Sequence, residues 1–246
     1  TSYVSSDTDV ATLDDAGLVQ IVGVGVTEIT ADNSGDENYF PASDSYLLTV
    51  RHPEFITTWQ TDDEITIPVL STETYNYSID WGDGDTDTGV TGETTHSYST
   101  AGTYTVTITG DFPAIYFYDY QDEADKILTI EQWGEIRWKS MMGAFSRCEN
   151  LEYNAADTPD LAEVTDMGGM FAGAAAFDGD LSGWDVGNVT RMDGMFYQAS
   201  SFNGDLSSWD VGNVTIMDRM FAFAVAFNGD ISGWDVGKVT DTGEMF

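Results

Sequence analysis

The feature that most constrains the fold is a 25-residue repeat that fills the second half of the 246-residue chain. The tryptophans at this spacing are Trp184, Trp209 and Trp234, and the phenylalanines are Phe171, Phe196, Phe221 and Phe246. A single unit is too short to bury its own apolar side chains, whereas stacked units share a continuous core. The period therefore predicts a solenoid over residues 140–246.

The internal pattern of the unit suggests what each repeat contains. Ala199 and Phe202 follow Phe196 at the third and sixth positions, which favours a short helical turn. The phrase Val-Thr-x-Met-x-x-Met-Phe, with a period near 25, resembles the strand segment of BspA-like leucine-rich repeats in bacterial surface proteins. This resemblance implies a leucine-rich-type α/β solenoid, an extracellular or cell-surface location, and roles in adhesion and protein binding. The chain ends at the start of another unit, so we expect the array to continue.

Residues 1–50 have the alternating apolar pattern of β-strands. Val19 to Val26 alternates, Tyr46 to Val50 is apolar, and a turn-rich stretch lies between them at residues 33–37. These phrases resemble a bacterial Ig-like domain of the group-2 type, which normally opens with one or two strands that are absent here. The resemblance implies a partial Ig-like β-sandwich that is either truncated or completed by residues outside the chain.

Residues 51–112 also alternate as β-strands do, on both sides of a polar Gly-Asp-Gly loop. The turn Trp81-Gly-Asp-Gly and the later phrase His96-x-Tyr98 resemble the PKD domain, which implies a PKD-like β-sandwich of the kind found in surface and secreted proteins. Residues 113–139 connect this domain to the repeats. Their strand-like alternation and two tryptophans, Trp133 and Trp138, predict a cap over the first repeat. The predicted fold class is thus mainly β and multidomain.

The charge of the chain excludes several classes of partner. With 43 acidic and 8 basic residues, the formal net charge is −35. A polyanion such as nucleic acid would be repelled, and so would anionic lipid. The hydrophobic fraction of 41% still provides enough material for packed cores. No apolar run approaches the ~18 residues of a membrane span. The sequence predicts a folded protein with an acidic surface, suited to marine or other saline surroundings. The resemblance to bacterial surface proteins implies that its host is a bacterium.

We expect the melting temperature of this chain to rise with salt. The Debye length falls from about 30 Å at 0.01 M to about 3 Å at 1 M ionic strength, which screens the self-repulsion of the folded state. Thermal unfolding followed by circular dichroism over that range measures the effect. A melting temperature that does not change from low to high salt would contradict this interpretation of the charge.

Few residues are suited to catalysis. The chain has two histidines, His52 and His96, and one cysteine, Cys148, which excludes an intramolecular disulfide. It contains no nucleophile elbow, phosphate loop or His-Glu-x-x-His motif. His96 is expected to bond locally and Cys148 to be buried in place of the alanine of later units. The sequence therefore predicts that this chain is not an enzyme.

The best candidate for an ion site is the acidic stretch at the end of the predicted strand from Tyr75 to Trp81, with Asp80, Asp83, Asp85 and Asp87. The alternate spacing of its aspartates matches the opening ligands of a calcium loop, but the glycine and glutamate that complete an EF-hand are missing. Calcium is the candidate cofactor. The alternative is a hairpin turn whose aspartates accept bonds from backbone amides.

Two features of the repeats are candidates for binding. The tryptophan ladder either stacks on sugar rings or packs in the core, and the flanking apolar pattern favours the core. Asn188 and Asn213 predict a buried asparagine ladder that Lys238 interrupts. The exposed strand positions predict a partner-binding face, formed by Arg191, Asp193, Ile216, Asp218 and Arg219.

Two functions remain open from the sequence. The first is a non-enzymatic module of a cell-surface or secreted protein, whose repeats serve in adhesion and protein–protein interaction or as a stalk. The alternative is an accessory glycan-binding region of a large secreted enzyme. Exposed tryptophans would favour the second function, and buried tryptophans would favour the first.

Overall fold

The computed structural model describes residues 1–23, 25–35, 40–50 and 53–246. It divides into two compact units, Thr1–His52 and Pro53–Phe246. Three predicted features reach outside the described residues: the alternation from Val19 to Val26 includes Val24, the turn at 33–37 includes Asp36 and Glu37, and His52 lies outside altogether.

The chain is mainly β, as predicted. The strands are β1 (Ser2–Ser5), β2 (Ala11–Leu13), β3 (Val19–Ile21), β4 (Gly25–Asn33), β5 (Ala42–Val50), β6 (Phe55–Thr61), β7 (Glu64–Ile67), β8 (Asn76–Asp80), β9 (Thr86–Val90), β10 (Thr94–Ser97), β11 (Gly102–Asp111), β12 (Ile127–Gln132) and β13 (Glu152–Tyr153). The described helix is α1 (Gln121–Ala124).

The first unit contains a three-stranded antiparallel sheet, in the order β1-β4-β5, and the hairpin β2-β3. Its core is small: within the described residues, the buried side chains of this unit belong to Val10, Ala11, Thr27 and Ile29. Large apolar side chains such as Leu47 remain exposed. The β character predicted for this region is present, while its assignment to the Ig-like family stays a prediction.

The second unit is built on one six-stranded sheet, in the order β13-β12-β6-β11-β8-β9. β6 pairs antiparallel with both β11 and β12, and β12 pairs in parallel with β13. The sheet therefore takes strands from the PKD-like region, from the connector and from the first repeat. Its hydrophobic core also runs without a break from Phe55 to Trp234. The predicted boundaries at residues 112 and 139 are thus not boundaries in the packing.

The 25-residue units stack on one another through backbone and rings. Parallel bridges join Asp166 to Arg191, Arg191 to Ile216 and Ile216 to Asp241. One row of stacked phenylalanines has centroid separations of 5.8, 5.8, 5.6 and 5.7 Å, along Phe145, Phe171, Phe196, Phe221 and Phe246. Each ring thereby fills a space that its own unit leaves open, which is the reason a short repeat can form a core.

The helical turn predicted in each repeat is absent from the structure of residues 139–246, where turns occupy those positions. Gly194 and Gln198 both have positive φ, 58° and 59°, and they lie four residues apart in one unit. A right-handed helix cannot continue through a left-handed residue. The next unit repeats the arrangement at Arg219 and Phe223, with φ of 53° and 63°. The α/β part of the predicted fold is therefore not found.

The connector caps the first repeat and also joins the sheet. Trp133 and Trp138 are fully buried. The centroid of the Trp133 ring lies 6.0 Å from that of Phe145 and 5.4 Å from that of Trp184. Backbone bonds from Trp133 and Gly134 to the Asp157 carboxylate, at 3.0 and 2.9 Å, hold the turn after β12.

Candidate functional site

The tryptophan ladder lies in the core. Trp184 and Trp209 are 4% exposed and Trp234 is 9% exposed, so their rings do not offer a surface to a sugar. The indole nitrogens of Trp209 and Trp234 donate to the carbonyls of Leu181 and Leu206, at 2.9 and 3.0 Å. These bonds satisfy the polar atoms that burial would otherwise leave unpaired. The core-packing alternative is the one that the structure supports.

The asparagine ladder is exposed, where the sequence predicted it to be buried. Asn188 Nδ2 donates to the carbonyl of Ala162 at 3.1 Å, and Asn213 Nδ2 donates to that of Gly187 at 2.7 Å. Lys238 stands at the asparagine position of the last unit, and its ammonium donates to a side-chain oxygen, Asn213 Oδ1, at 2.7 Å instead of to a backbone carbonyl. The ladder ties neighbouring units together at the surface.

The acidic loop between β8 and β9 brings together half of the predicted calcium ligands. Asp83 and Asp85 lie with His96, and one ligand atom from each of the three is within 4.8 Å of the others. His96 Nε2 is 2.8 Å from Asp83 Oδ2. This hydrogen bond, with a backbone bond from Asp85, holds the pKa of Asp83 below its usual value. Calcium binding at this loop stays a prediction. The cluster also includes His96, which the sequence predicted only to bond locally.

The other two predicted ligands hold the loop itself. Asp80 Oδ1 accepts from the amide of Gly82 at 2.9 Å, and Asp87 Oδ2 accepts from the indole of Trp81 at 2.9 Å. Gly82 has a φ of 80°, and a Cβ there would overlap the carbonyl oxygen of Thr105. The turn therefore needs glycine at this position. Asp80 accepts from a backbone amide, as the hairpin alternative predicts, whereas Asp87 accepts from a side chain.

The candidate nucleophile and the candidate base are Cys148 and His96. Cys148 is fully buried, and this burial raises the pKa of its thiol well above the usual value. The thiolate is the reactive form, so the chemistry of a nucleophile is suppressed. The His96 ring is stacked on Trp81 at 5.0 Å and bonded to Asp83.

Most of the predicted partner-binding face lines a single groove of about 500 Å³. Its charged residues are Asp166, Arg191, Asp193, Asp218 and Arg219. Met192 is buried between Arg191 and Asp193, so these two charged side chains face outward. Ile216 is the one residue of the predicted face that does not line the groove. Its backbone forms β-bridges to Arg191 and Asp241 of the neighbouring units.

Ion pairs order the charged side of the groove. Arg191 lies between two carboxylates, with Nε 3.6 Å from Asp166 and Nη2 3.0 Å from Asp193. Arg219 Nε lies 2.8 Å from Glu244, and this bond raises the pKa of the guanidinium. Both arginines are about half exposed, with side-chain exposures of 48% and 53%. Ion pairs of such half-exposed side chains stabilise a fold little, but they hold the side chains in position.

Three tyrosines form the aromatic side of the groove, Tyr116, Tyr118 and Tyr197. Phe117 lies between the first two in sequence and is fully buried against Trp59 and Phe145, at centroid separations of 5.6 and 6.1 Å. On either side of this anchor, Tyr116 is partly buried and Tyr118 is 56% exposed. The amide of Phe117 also donates to the carbonyl of Gly143 at 3.0 Å, which fixes the connector to the first repeat.

Sequence reasoning missed Tyr116 and Tyr118, because it gave the connector only a capping role. The signal was present in the alternation Ile-Tyr-Phe-Tyr-Asp-Tyr at residues 115–120, which carries more aromatics than a cap requires. It also missed Tyr197. This residue comes directly after Phe196 of the buried phenylalanine row, and its ring centroid lies 5.7 Å from that of Phe223.

Comparison with known proteins bears on the repeats. Residues 139–246 match the model of a family described as "Mycoplasma protein of unknown function, DUF285". No curated protein and no solved structure matches the chain. The match covers the region that the sequence analysis assigned to repeats and begins one residue before it. The BspA-like, PKD-like and Ig-like resemblances stay predictions, and the family description assigns no activity to the groove.

Within the part of the chain that the structure describes, no helix is both long and apolar enough to cross a membrane.

Proposed function

We propose that this chain is a non-enzymatic binding module of a cell-surface or secreted bacterial protein, and that it binds a protein partner through the groove. One observation carries the proposal. Charged residues from two repeat units, predicted as a partner-binding face, converge with tyrosines of the connector in one groove of about 500 Å³. Tyrosine and arginine are the residues that protein interfaces favour.

The architecture supports a role in adhesion. The repeats would act as a solenoid related to BspA-like leucine-rich repeats, with PKD-like and Ig-like regions as spacers before it. The net charge of −35 disfavours nucleic acid and anionic lipid as partners. An extracellular location in saline surroundings would suit this acidic surface.

A second candidate is the glycan-binding region of a larger secreted enzyme. The observation that favours it is the tyrosine side of the groove, because aromatic faces stack on sugar rings. Burial of the tryptophan ladder removes the surface on which this hypothesis first depended. We therefore place protein binding first.

An array of cell-surface proteins and glycans, probed with the chain with and without calcium, tests the proposal. We expect wild-type binding to at least one protein, and loss of that binding when Tyr118→Ala and Tyr197→Ala are combined. Tyr118 is 56% exposed, so its replacement removes groove surface without opening the core.

The matched control is Tyr46→Ala, which removes a tyrosine that is 53% exposed in the first unit. This variant is expected to bind as the wild type does. Binding that survives in the double groove variant, or that is lost equally in the control, would refute the groove as the binding site.

A further inference from the structure

Backbone amides at the floor of the groove already donate hydrogen bonds between neighbouring units. The amides of Gly143, Gly169 and Gly194 donate to carbonyls of the following unit at 2.8, 2.8 and 2.7 Å. The Gly168 amide donates to the Asp166 carboxylate at 2.8 Å. A ligand cannot add here as an extra strand, since these N–H groups are no longer free. Side chains must therefore carry the recognition.

The side chains of the groove offer acceptors more than donors. Arg191 is shared between two carboxylates, and Arg219 is bonded to Glu244 outside the lining. These pairs occupy the two guanidinium groups, whereas the lining contains three carboxylates. An anionic ligand would have to break ion pairs and approach a chain of net charge −35. A ligand that brings its own positive charge is attracted by the net charge and by Asp218, the groove carboxylate that holds no arginine in the described residues.

The tyrosines add to this preference. Ammonium and guanidinium groups are attracted to the faces of tyrosine rings within about 6 Å of the centroid. Three such rings line the groove, at positions 116, 118 and 197. Carboxylates beside aromatic faces thus form an environment in which a lysine or arginine side chain replaces its hydration with two kinds of favourable contact.

We infer that the groove binds an extended polypeptide segment that carries lysine or arginine side chains. This inference rests on the proposed function and names the chemistry of the partner. Neutral glycans would use the tyrosines but would gain nothing from the charge, so their binding would not depend on salt.

The probe is a fluorescein-labelled peptide of alternating lysine and glycine, with two matched peptides, one with acetylated lysines and one with glutamate in place of lysine. Fluorescence anisotropy measures the dissociation constant at low and high salt. We expect the lysine peptide alone to bind, with an affinity that falls as salt rises.

Variants separate the groove from the general acidity of the surface. Asp218→Asn removes one groove carboxylate, and Glu163→Gln removes one exposed carboxylate of the repeats outside the groove. We expect Asp218→Asn to weaken the lysine peptide about fivefold, the upper end for an ion pair made by a partly exposed carboxylate. Glu163→Gln is expected to change it less than about twofold. Tyr118→Ala, an exposed position, gives a second groove variant with an intact fold.

Each alternative outcome has a distinct meaning. Equal weakening by Asp218→Asn and Glu163→Gln would show nonspecific attraction and overturn the inference. Salt-independent binding of a neutral oligosaccharide, lost in Tyr118→Ala, would overturn the cationic partner while the groove remained the binding site. Binding of array partners that no groove variant changes would instead refute the proposed function itself.

Discussion

Replacing Trp133 by alanine is expected to lower the free energy of unfolding of the second unit by about 3–5 kcal/mol, the usual cost of truncating a buried aromatic residue. In a unit of this size each kcal/mol corresponds to about 2–4 °C in melting temperature. Thermal and urea unfolding of the whole chain, followed by circular dichroism, measures the change.

The size of the effect follows from where Trp133 lies. The side chain is fully buried where the sheet, the connector and the first repeats meet. Its ring centroid is 5.6 Å from Phe55 of β6 and 5.4 Å from Trp184 of the repeats. Its indole donates to the hydroxyl of Tyr153 at 2.9 Å, so truncation also leaves a partly buried acceptor with one partner fewer. One substitution therefore loosens the packing of both the sheet and the first repeats.

Two comparisons make this result interpretable. Tyr118→Ala removes an aromatic ring of the connector that is exposed, and it is expected to change the free energy by less than about 0.5 kcal/mol. If residues 53–246 form one cooperative unit, Trp133→Ala shifts a single transition. Two transitions within residues 53–246, beside any transition of the first unit, with only one moved by the substitution, would mean that the sheet and the repeats unfold independently.

The sequence was most informative where one residue type recurs at a fixed distance. Rings at Phe171 and Phe196 are 25 residues apart and stack at 5.8 Å, as the period predicts. The pattern was less informative about the local backbone. Positive φ at Gln198 and Phe223 ends the helical turn that the spacing favours, and neither residue type signals a left-handed conformation.

The groove illustrates a different limit. Arg191 and Asp193 could be placed on an outward face, because the buried methionines beside them set the alternation. Tyr116 and Tyr118 could not be placed against them, because their position depends on how the connector folds back onto Gly143. The repeat period predicts contacts between repeat units, but it does not predict contacts with a segment outside the repeats, such as the connector. The contact between His96 and the acidic loop also joins two separate segments, so the spacing of the aspartates did not predict it.

A second large effect is expected for Phe171→Ala, again about 3–5 kcal/mol of unfolding free energy. The Phe171 ring is fully buried and stacked between Phe145 and Phe196, with both centroids 5.8 Å away. Phe177 of the same unit lies 3.9 Å from it. Removal opens a cavity shared by three units, which none of them can close alone.

Phe246→Ala is the matched control, because Phe246 occupies the same position of the repeat three units later. Its ring is 73% exposed and stacks on Phe221 at 5.7 Å. The two substitutions are identical in residue type and repeat position, so their difference measures burial between neighbouring units. We expect Phe246→Ala to cost less than about 1 kcal/mol in urea unfolding, since little apolar surface returns to water. Equal costs would mean that the rings are not enclosed by neighbouring units, and the stacked arrangement of the repeats would then be wrong.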